Sequence, residues 1–398
     1  MDKLKLQNQS ARKRIFEKIR HNGEDFNGKL PQTKGQSDGK FALNYGGDWT
    51  DGFYIGVFNL AYSLTGDEEF HKIAEKYEAF LDMRIKNTPE VNEANRFLKL
   101  DHDVGMIFLP TAGFNYTCYQ REKDKEILIK AADVLKERFN EKGNFIRAWD
   151  TWKWDTDEAF IEEKKGKVIV DSMMNIPLLF QVSKITGEQQ YYDIAKRHAV
   201  TVADYIVRED FSTYHTYNFD HLTGKPLCGK TRQGYSDESC WSRGQAWAVY
   251  GFALAYKYTG ETRFLHIADK TAKYFMDHLS AMDMPCWDFT AADQLFAPWD
   301  SAASAICASG LLEMWQLTGE NVYKENAIRL LKALETFCLT DQYPKCQMLL
   351  LHGCVGSAYQ EAVPQKLDNS AIGVSLVYAD YFYLECMLKL SGSKLHIF

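Results

Sequence analysis

Leu60-Ala-Tyr-Ser-Leu-Thr-Gly66-Asp-Glu-Glu-Phe70 decides how this chain is read, because the same phrase keeps returning. It recurs as Val182-Ser-Lys-Ile-Thr-Gly187-Glu-Gln-Gln-Tyr191, as Leu254-Ala-Tyr-Lys-Tyr-Thr-Gly260-Glu-Thr-Arg-Phe264 and as Met314-Trp-Gln-Leu-Thr-Gly319-Glu-Asn-Val-Tyr323. A weaker copy, Cys118-Tyr-Gln-Arg-Glu-Lys-Asp-Lys-Glu-Ile127, lies between the first two. A truncated one, Met387-Leu-Lys-Leu-Ser-Gly392, comes last. Six copies spaced by roughly 60–70 residues mean an array of one supersecondary unit.

Apolar residues before each Thr-Gly recur at helical spacing. Gly ends that helix, since it takes the left-handed conformation without strain. An acidic residue then starts the next helix, where the dipole favours negative charge. An aromatic follows, and then an Ala at a helical interval: Ala74, Ala195, Ala268, Ala327. Each unit is therefore a helix, a tight turn and an antiparallel helix. Six such hairpins predict an all-α, (α/α)6 barrel. An open solenoid of the tetratricopeptide type would repeat about every 34 residues, near half the spacing seen.

The repeat runs from about Leu60 to the end of the sequence. It predicts one barrel domain over residues 41–398, preceded by a partly helical lead-in over residues 1–40. A net charge of −7 argues against nucleic acid as a partner, which needs a basic face. No apolar run reaches membrane-spanning length. The start of the chain has no apolar signal core, so the expected location is cytoplasmic, or periplasmic if the chain is a trimmed mature form. Nine scattered cysteines without a Cys-x-x-Cys pair predict neither a disulfide framework nor a zinc site. Oligomeric state is left open.

In such a barrel, the loops that open the inner helices form a bowl at one end. The inner helices are those that precede each Thr-Gly. Their openings read Asp48-Trp49-Thr-Asp51, Leu100-Asp-His102-Asp103-Val-Gly105, Val168-Ile-Val-Asp171-Ser-Met-Met-Asn175, Asp237-Glu-Ser-Cys-Trp241-Ser-Arg243-Gly-Gln245-Ala-Trp247 and Trp299-Asp300-Ser301. Helix capping accounts for Asp51, Asp300 and Ser301. It fits Asp103 and Asp171 less well. Pro110 and Pro177 follow them, and Pro is favoured in a helix's first turn. Either helix can then begin after its Asp and leave the carboxylate facing the bowl. Two carboxylates in one cavity suit acid–base work on sugars, and mutual repulsion with burial would keep one protonated. Arg243 is suited to a carboxylate, and Trp to the face of a sugar ring. Read structurally, Trp247 would be core and Arg243 a buried ion-pair partner. The Asp-His-Asp run has no second cluster at ligand spacing, so no metal is expected.

At these residues the sequence resembles glycoside hydrolase family 88, the unsaturated glucuronyl hydrolases. The resemblance spans about Trp49 to Glu385. It is carried by Leu100-Asp-His-Asp103, Asp171-Ser-Met-Met-Asn175, His215-Thr-Tyr217, Thr231-Arg-Gln-Gly-Tyr-Ser-Asp-Glu-Ser239, Trp241-Ser-Arg-Gly-Gln-Ala-Trp247 and Asp300-Ser-Ala-Ala303. It implies an (α/α)6 barrel, no cofactor, and a substrate bearing a 4,5-unsaturated uronic acid at its non-reducing end. It implies that Asp171 is the general acid/base and Asp103 the second acid. His215, Gln233 and Arg243 match positions near the uronate ring. Trp149 matches the neighbouring sugar site, and Trp241 and Trp247 an aromatic cluster. His102, Trp49 and His352 complete the candidate sugar contacts. Two departures stand out. Tyr54 replaces the Trp that usually ends the family's first motif. The Ser-x-x-Ser-x-Lys sulfate pattern of streptococcal members is not matched between Leu349-Leu-Leu-His352-Gly353 and Lys366. Helical barrels also host sugar epimerases and polysaccharide lyases, and a non-catalytic glycan-binding protein is a third possibility. Fold alone does not choose among them.

Overall fold

The structure is a computed structural model that describes residues 4, 8–36, 38–86, 99–151, 156–291, 297–356 and 372–398. In chain order its helices are α1 (Gln9–Phe26), α2 (Asp51–Thr65), α3 (Glu68–Glu75), α4 (Glu78–Lys86), α5 (Val104–Phe108), α6 (Phe114–Tyr119), α7 (Glu122–Glu137) and α8 (Glu158–Lys165). There follow α9 (Pro177–Thr186), α10 (Gln189–Tyr205), α11 (Ser242–Thr259), α12 (Thr262–Asp277), α13 (Ser301–Thr318), α14 (Asn321–Phe337) and α15 (Val377–Leu390).

Helices α2, α9, α11 and α13 all stop at the Thr of the repeated phrase. The Gly that follows is left-handed each time, with φ of 71°, 79°, 70° and 76°. Its N–H donates to the carbonyl four residues back at 2.7 or 2.8 Å. The Thr has a function that the repeat alone does not disclose. In all four copies its hydroxyl donates to the carbonyl four residues back and accepts the N–H two residues on, at 3.1–3.2 Å. One side chain thus satisfies groups on both sides of the turn.

The weak copy keeps the turn without the glycine. Gln120 ends α6 at φ 52°, and its N–H donates to Tyr116 O at 2.9 Å. A side chain in that region costs about 1 kcal/mol or more, and a flexible unfolded glycine offsets part of any gain. Gln120→Gly is therefore expected to stabilise the fold by up to about 1 kcal/mol. Urea denaturation checks this, and a loss of stability would contradict it.

Burial separates two layers. Helices α11, α13 and α15 are buried without interruption over Ser242–Ala255, Ser301–Met314 and Val377–Lys389. Helices α12 and α14 bury one stripe only, as wall helices do. The inner ring closes where α15 packs on α2. This is an (α/α)6 barrel. From residues 1–40, α1 packs on α2 and α3, and Lys18 donates to the carbonyls of Thr340, Tyr343 and Met348 at 2.8, 3.1 and 3.2 Å.

The two prolines behave differently. Pro177 opens α9, so Asp171 is left on the short 3-10 helix Val170–Met174 ahead of it. Pro110 does not open a helix: α5 already starts at Val104, directly after Asp103. Pro110 sits in a π-turn, Leu109–Gly113, that joins α5 to α6. Here the wider turn accommodates the missing N–H.

Candidate active site

A three-stranded antiparallel sheet assembles half of the site. Strand Lys167–Ile169 pairs with Thr216–Phe219, which pairs with Pro226–Lys230. Ile169 faces Thr216, and Thr216 faces Lys230. Asp171, His215 and Gln233 therefore leave the sheet at one edge. Val170 N–H donates to His215 O at 3.0 Å. The backbone N–H groups of Arg232 and Gln233 donate to His215 Nδ1 at 3.0 and 3.2 Å. With Nδ1 accepting, the ring proton resides on Nε2. That atom is buried and has no partner among the described residues. Burial, then the charges of Lys167, Arg243 and Arg232, hold the ring well below its usual pKa. His215 is thus a neutral donor with an unused N–H.

Asp171 keeps some exposed surface, but its Oδ1 is buried and accepts no hydrogen bond from the described residues. Burial, and next the charge of Asp103, push its pKa up to about 7, while His102 and Arg243 pull the other way. Asp103 occupies the N-cap position of α5, yet its side chain caps nothing. Its pKa is also raised, by burial first and Asp101 second. Asn175 Nδ2 donates to Asp103 Oδ1 at 3.3 Å, while Asn175 Oδ1 accepts Met106 N–H at 2.9 Å. This clamps the turn after Asp171 to the start of α5. The approach is close: a Cβ on Gly105 would fall 2.6 Å from Asn175 Cα.

His102 is buried between two acids. Its Nε2 lies 3.4 Å from Asp103 Oδ1 and its Nδ1 lies 3.7 Å from Asp101 Oδ1. Ligand atoms of these three residues come within 4.8 Å of one another. The two acids face opposite nitrogens of one ring, so the imidazole separates them.

The aromatic residues form one chain of contacts. His215 lies on Trp241 with centroids 4.4 Å apart. The Arg243 guanidinium is 4.5 Å over Trp241 and 5.6 Å over Tyr378. Tyr378 reaches Trp49 at 4.9 Å and Trp247 at 6.3 Å. Trp49 and Trp149 are half-buried, as sugar platforms need to be. The Arg232 guanidinium lies 5.6 Å over Trp149 and the Lys167 ammonium 5.7 Å. Trp247 is fully enclosed against Phe382, 5.5 Å away, so it is a core residue.

Contacts at the remaining helix openings are specific. Arg243 is a buried ion-pair partner: it binds Asp300 and donates to Cys354 O at 2.7 Å and Val355 O at 2.8 Å. Gln233 Nε2 donates to the same Val355 O at 2.7 Å. These two side chains hold the segment after His352. His352 is exposed at φ 62°, its carbonyl accepting Ser301 N–H at 3.0 Å. Asp300 does cap α13, through Ala302 N–H at 3.1 Å. Asp51 does not cap: it lies inside α2, accepts Gly47 and Asp48 N–H, and pairs with Arg84. Ser301 Oγ is buried and makes no cap bond. Tyr54 packs into the wall on Phe26, 5.5 Å away, so the Trp-to-Tyr departure alters the wall. The span from Ser357 to Lys366 lies outside the described residues.

Sequence reasoning gave no role to Asn175 or Tyr378. Asn175 was visible only as the end of a quoted motif. Tyr378 gave no local signal, because its neighbours come from Trp49, Arg243 and Trp247, far along the chain.

Two carboxylic acids with raised pKa values, an imidazole N–H without a partner among the described residues and half-buried tryptophans in a helical barrel suit acid–base chemistry on carbohydrate. The family model for Glycosyl Hydrolase Family 88 matches residues 24–288. An unsaturated chondroitin disaccharide hydrolase of Streptococcus pneumoniae is 34% identical over 350 residues, covering 86% of this chain and 81% of that protein. An unsaturated glucuronyl hydrolase of Bacillus sp. (strain GL1) is 33% identical over 373 residues, covering 93% of each. The solved structure of the unsaturated glucuronyl hydrolase from Bacillus sp. GL1 superposes with a TM-score of 0.84 at 30% identity, over 96% of each chain. The chain belongs to glycosyl hydrolase family 88, and it is a glycoside hydrolase. No helix among the described residues is long and apolar enough to cross a membrane.

Proposed function

We propose that this enzyme removes the 4,5-unsaturated uronic acid from the non-reducing end of lyase-generated oligosaccharides. The observation that carries the reading is Asp171: a carboxyl raised to about 7, with a buried Oδ1 that no group among the described residues bonds. A carboxylic acid held protonated near neutrality can deliver its proton to carbon C4 of the vinyl ether. The carboxylate left behind then accepts a proton from the water that adds at C5. One proton and one hydroxide are added in total, and Asp171 is regenerated. The resulting hemiketal opens and releases the remaining sugar. No displacement at the anomeric carbon is required. Asp103 binds sugar hydroxyls and helps keep Asp171 protonated. The free Nε2–H of His215 is suited to the uronate carboxylate. We assign this chemistry to residues 41–398, with residues 1–40 as an added wall segment.

Substrates named for the relatives support this class. They include chondroitin disaccharides, and a Streptococcus agalactiae mutant enzyme is complexed with dGlcA-GalNAc6S. An epimerase would need paired histidines free in the bowl, and His102 is instead enclosed by Asp101 and Asp103. The test follows the ultraviolet absorbance of the conjugated double bond on a panel of lyase-generated disaccharides, sulfated and unsulfated. Absorbance should fall on at least one. No loss on any of them would overturn the reading.

A further inference from the structure

The residue proposed as the acid sits on a weak element. A 3-10 helix has poorer hydrogen-bond geometry than an α-helix and needs outside support to hold one shape. The Val170–Met174 turn is pinned at its start by Val170 N–H to His215 O, 3.0 Å. Its middle is pinned by a different set. His198, in the centre of wall helix α10, is fully buried, as is Ser172. His198 Nδ1 accepts Ile146 N–H at 3.0 Å. The proton of the neutral ring must then be on Nε2. Nε2 lies 2.7 Å from Ser172 Oγ, and Ser172 Oγ donates to Ile169 O at 2.5 Å. The order of donation is fixed: Nε2–H to the hydroxyl, and the hydroxyl to the carbonyl.

We propose that His198 and Ser172 form a latch that positions the Asp171 carboxyl for proton transfer. The latch ties the residue next to Asp171 to the strand end that precedes it, and ties both to the wall. Through Ile146 it also fixes the segment that runs on to Trp149. Burial keeps the imidazole neutral, with its pKa lowered to about 3, so His198 acts as a fixed dipole and moves no proton. On the opposite side the chain is packed without slack, since a Cβ on Gly251 would fall 2.3 Å from Met173 Cβ. With the latch opened, the residue beside Asp171 loses its tie to the wall and the carboxyl can shift. A shift of about 1 Å at a reacting group can cost roughly 10²-fold in rate.

The proposal rests on Asp171 being the acid, so the experiment carries that residue as a separate arm. His198→Gln keeps a donor near the Nε2 position. His198→Asn keeps an acceptor near the Nδ1 position and loses the donor to Ser172. Ser172→Ala removes the relay with little change in volume. Steady-state kinetics on a cleaved disaccharide should show kcat lowered roughly tenfold or more by His198→Asn and by Ser172→Ala. KM should change less than about twofold, and His198→Gln should recover most of the kcat, because uniform binding is untouched. Thermal denaturation accompanies each variant, because a purely structural role would lower the melting temperature of both His198 variants without separating their kcat values. Equal kcat for His198→Gln and His198→Asn, or wild-type kcat for Ser172→Ala, would overturn the latch. Full activity of Asp171→Asn would instead remove the acid assignment on which it stands.

Discussion

Asp171→Asn should lower kcat by roughly 10³-fold, within the range that a positioned acid contributes. The substitution keeps the side chain's shape and removes its proton. Binding contacts stay in place, so KM should move far less than kcat. Stability should respond in the opposite sense. The folded carboxyl is raised to about 7, chiefly by burial and then by Asp103. An unfolded Asp loses its proton near its ordinary value, so the unfolded state gains an advantage as pH rises from about 4 to about 7. Above that window the penalty is complete and constant. Asn carries no such penalty. The variant should therefore melt at an equal or higher temperature than wild type at pH 8, with the difference shrinking toward pH 4. Rapid-mixing absorbance of the 4,5 double bond and melting curves at the two pH values check both halves. Wild-type kcat would remove Asp171 from the chemistry. A variant that lost stability equally at both pH values would show that the carboxylate had been a structural contact.

The barrel was legible because its evidence is local and repeated. Gly66, Gly187, Gly260 and Gly319 each end a helix by the same left-handed turn, and the preceding apolar residues set which helices are inner. The Gln120 copy was weak in sequence because a different side chain makes the same turn at φ 52°. The site was legible only where it lay next to that pattern. Asp103 and Asp171 stood out as acids that capping did not explain, and neither side chain caps a helix. The sheet was missed, although Val168-Ile169-Val170 is a β-branched run of the sort that favours a buried strand. Its partner strands lie about fifty residues on, beyond any periodicity. Arg243 was read in two ways, as a residue near the uronate and as a buried ion-pair partner, because guanidinium chemistry fits either. Its actual partner, Asp300, belongs to another inner helix. Two further donors reach the carbonyls of Cys354 and Val355, which have no side-chain signature. Residue type announces what a side chain can bind, and only the closed ring decides what it does bind.

Asp103→Asn should move the alkaline limb of activity to lower pH. With the Asp171 carboxyl raised to about 7 and acting as the proposed acid, the wild-type limb is expected near that pH. The two acids interact through their charges, so losing one proton makes the next harder to remove. The charge of Asp103 is the second cause of Asp171's raised value, after burial. Asn at position 103 removes that cause and leaves burial in place. The limb should therefore move acidward without reaching the ordinary carboxylate range. His102 and Arg243 oppose the raised value and remain in the variant, so they reinforce the same direction. The loss of kcat/KM should then grow with pH, from a modest deficit near pH 5 to roughly 10²-fold near pH 8. A second consequence separates this from simple loss of a sugar contact. Removing a contact lowers kcat/KM by one factor at every pH, because the remaining acid keeps its own titration. A pH series of kcat/KM for the two enzymes on one disaccharide distinguishes the cases. A parallel downward displacement would make Asp103 a binding group alone, and a limb displaced acidward would make it the residue that keeps Asp171 protonated.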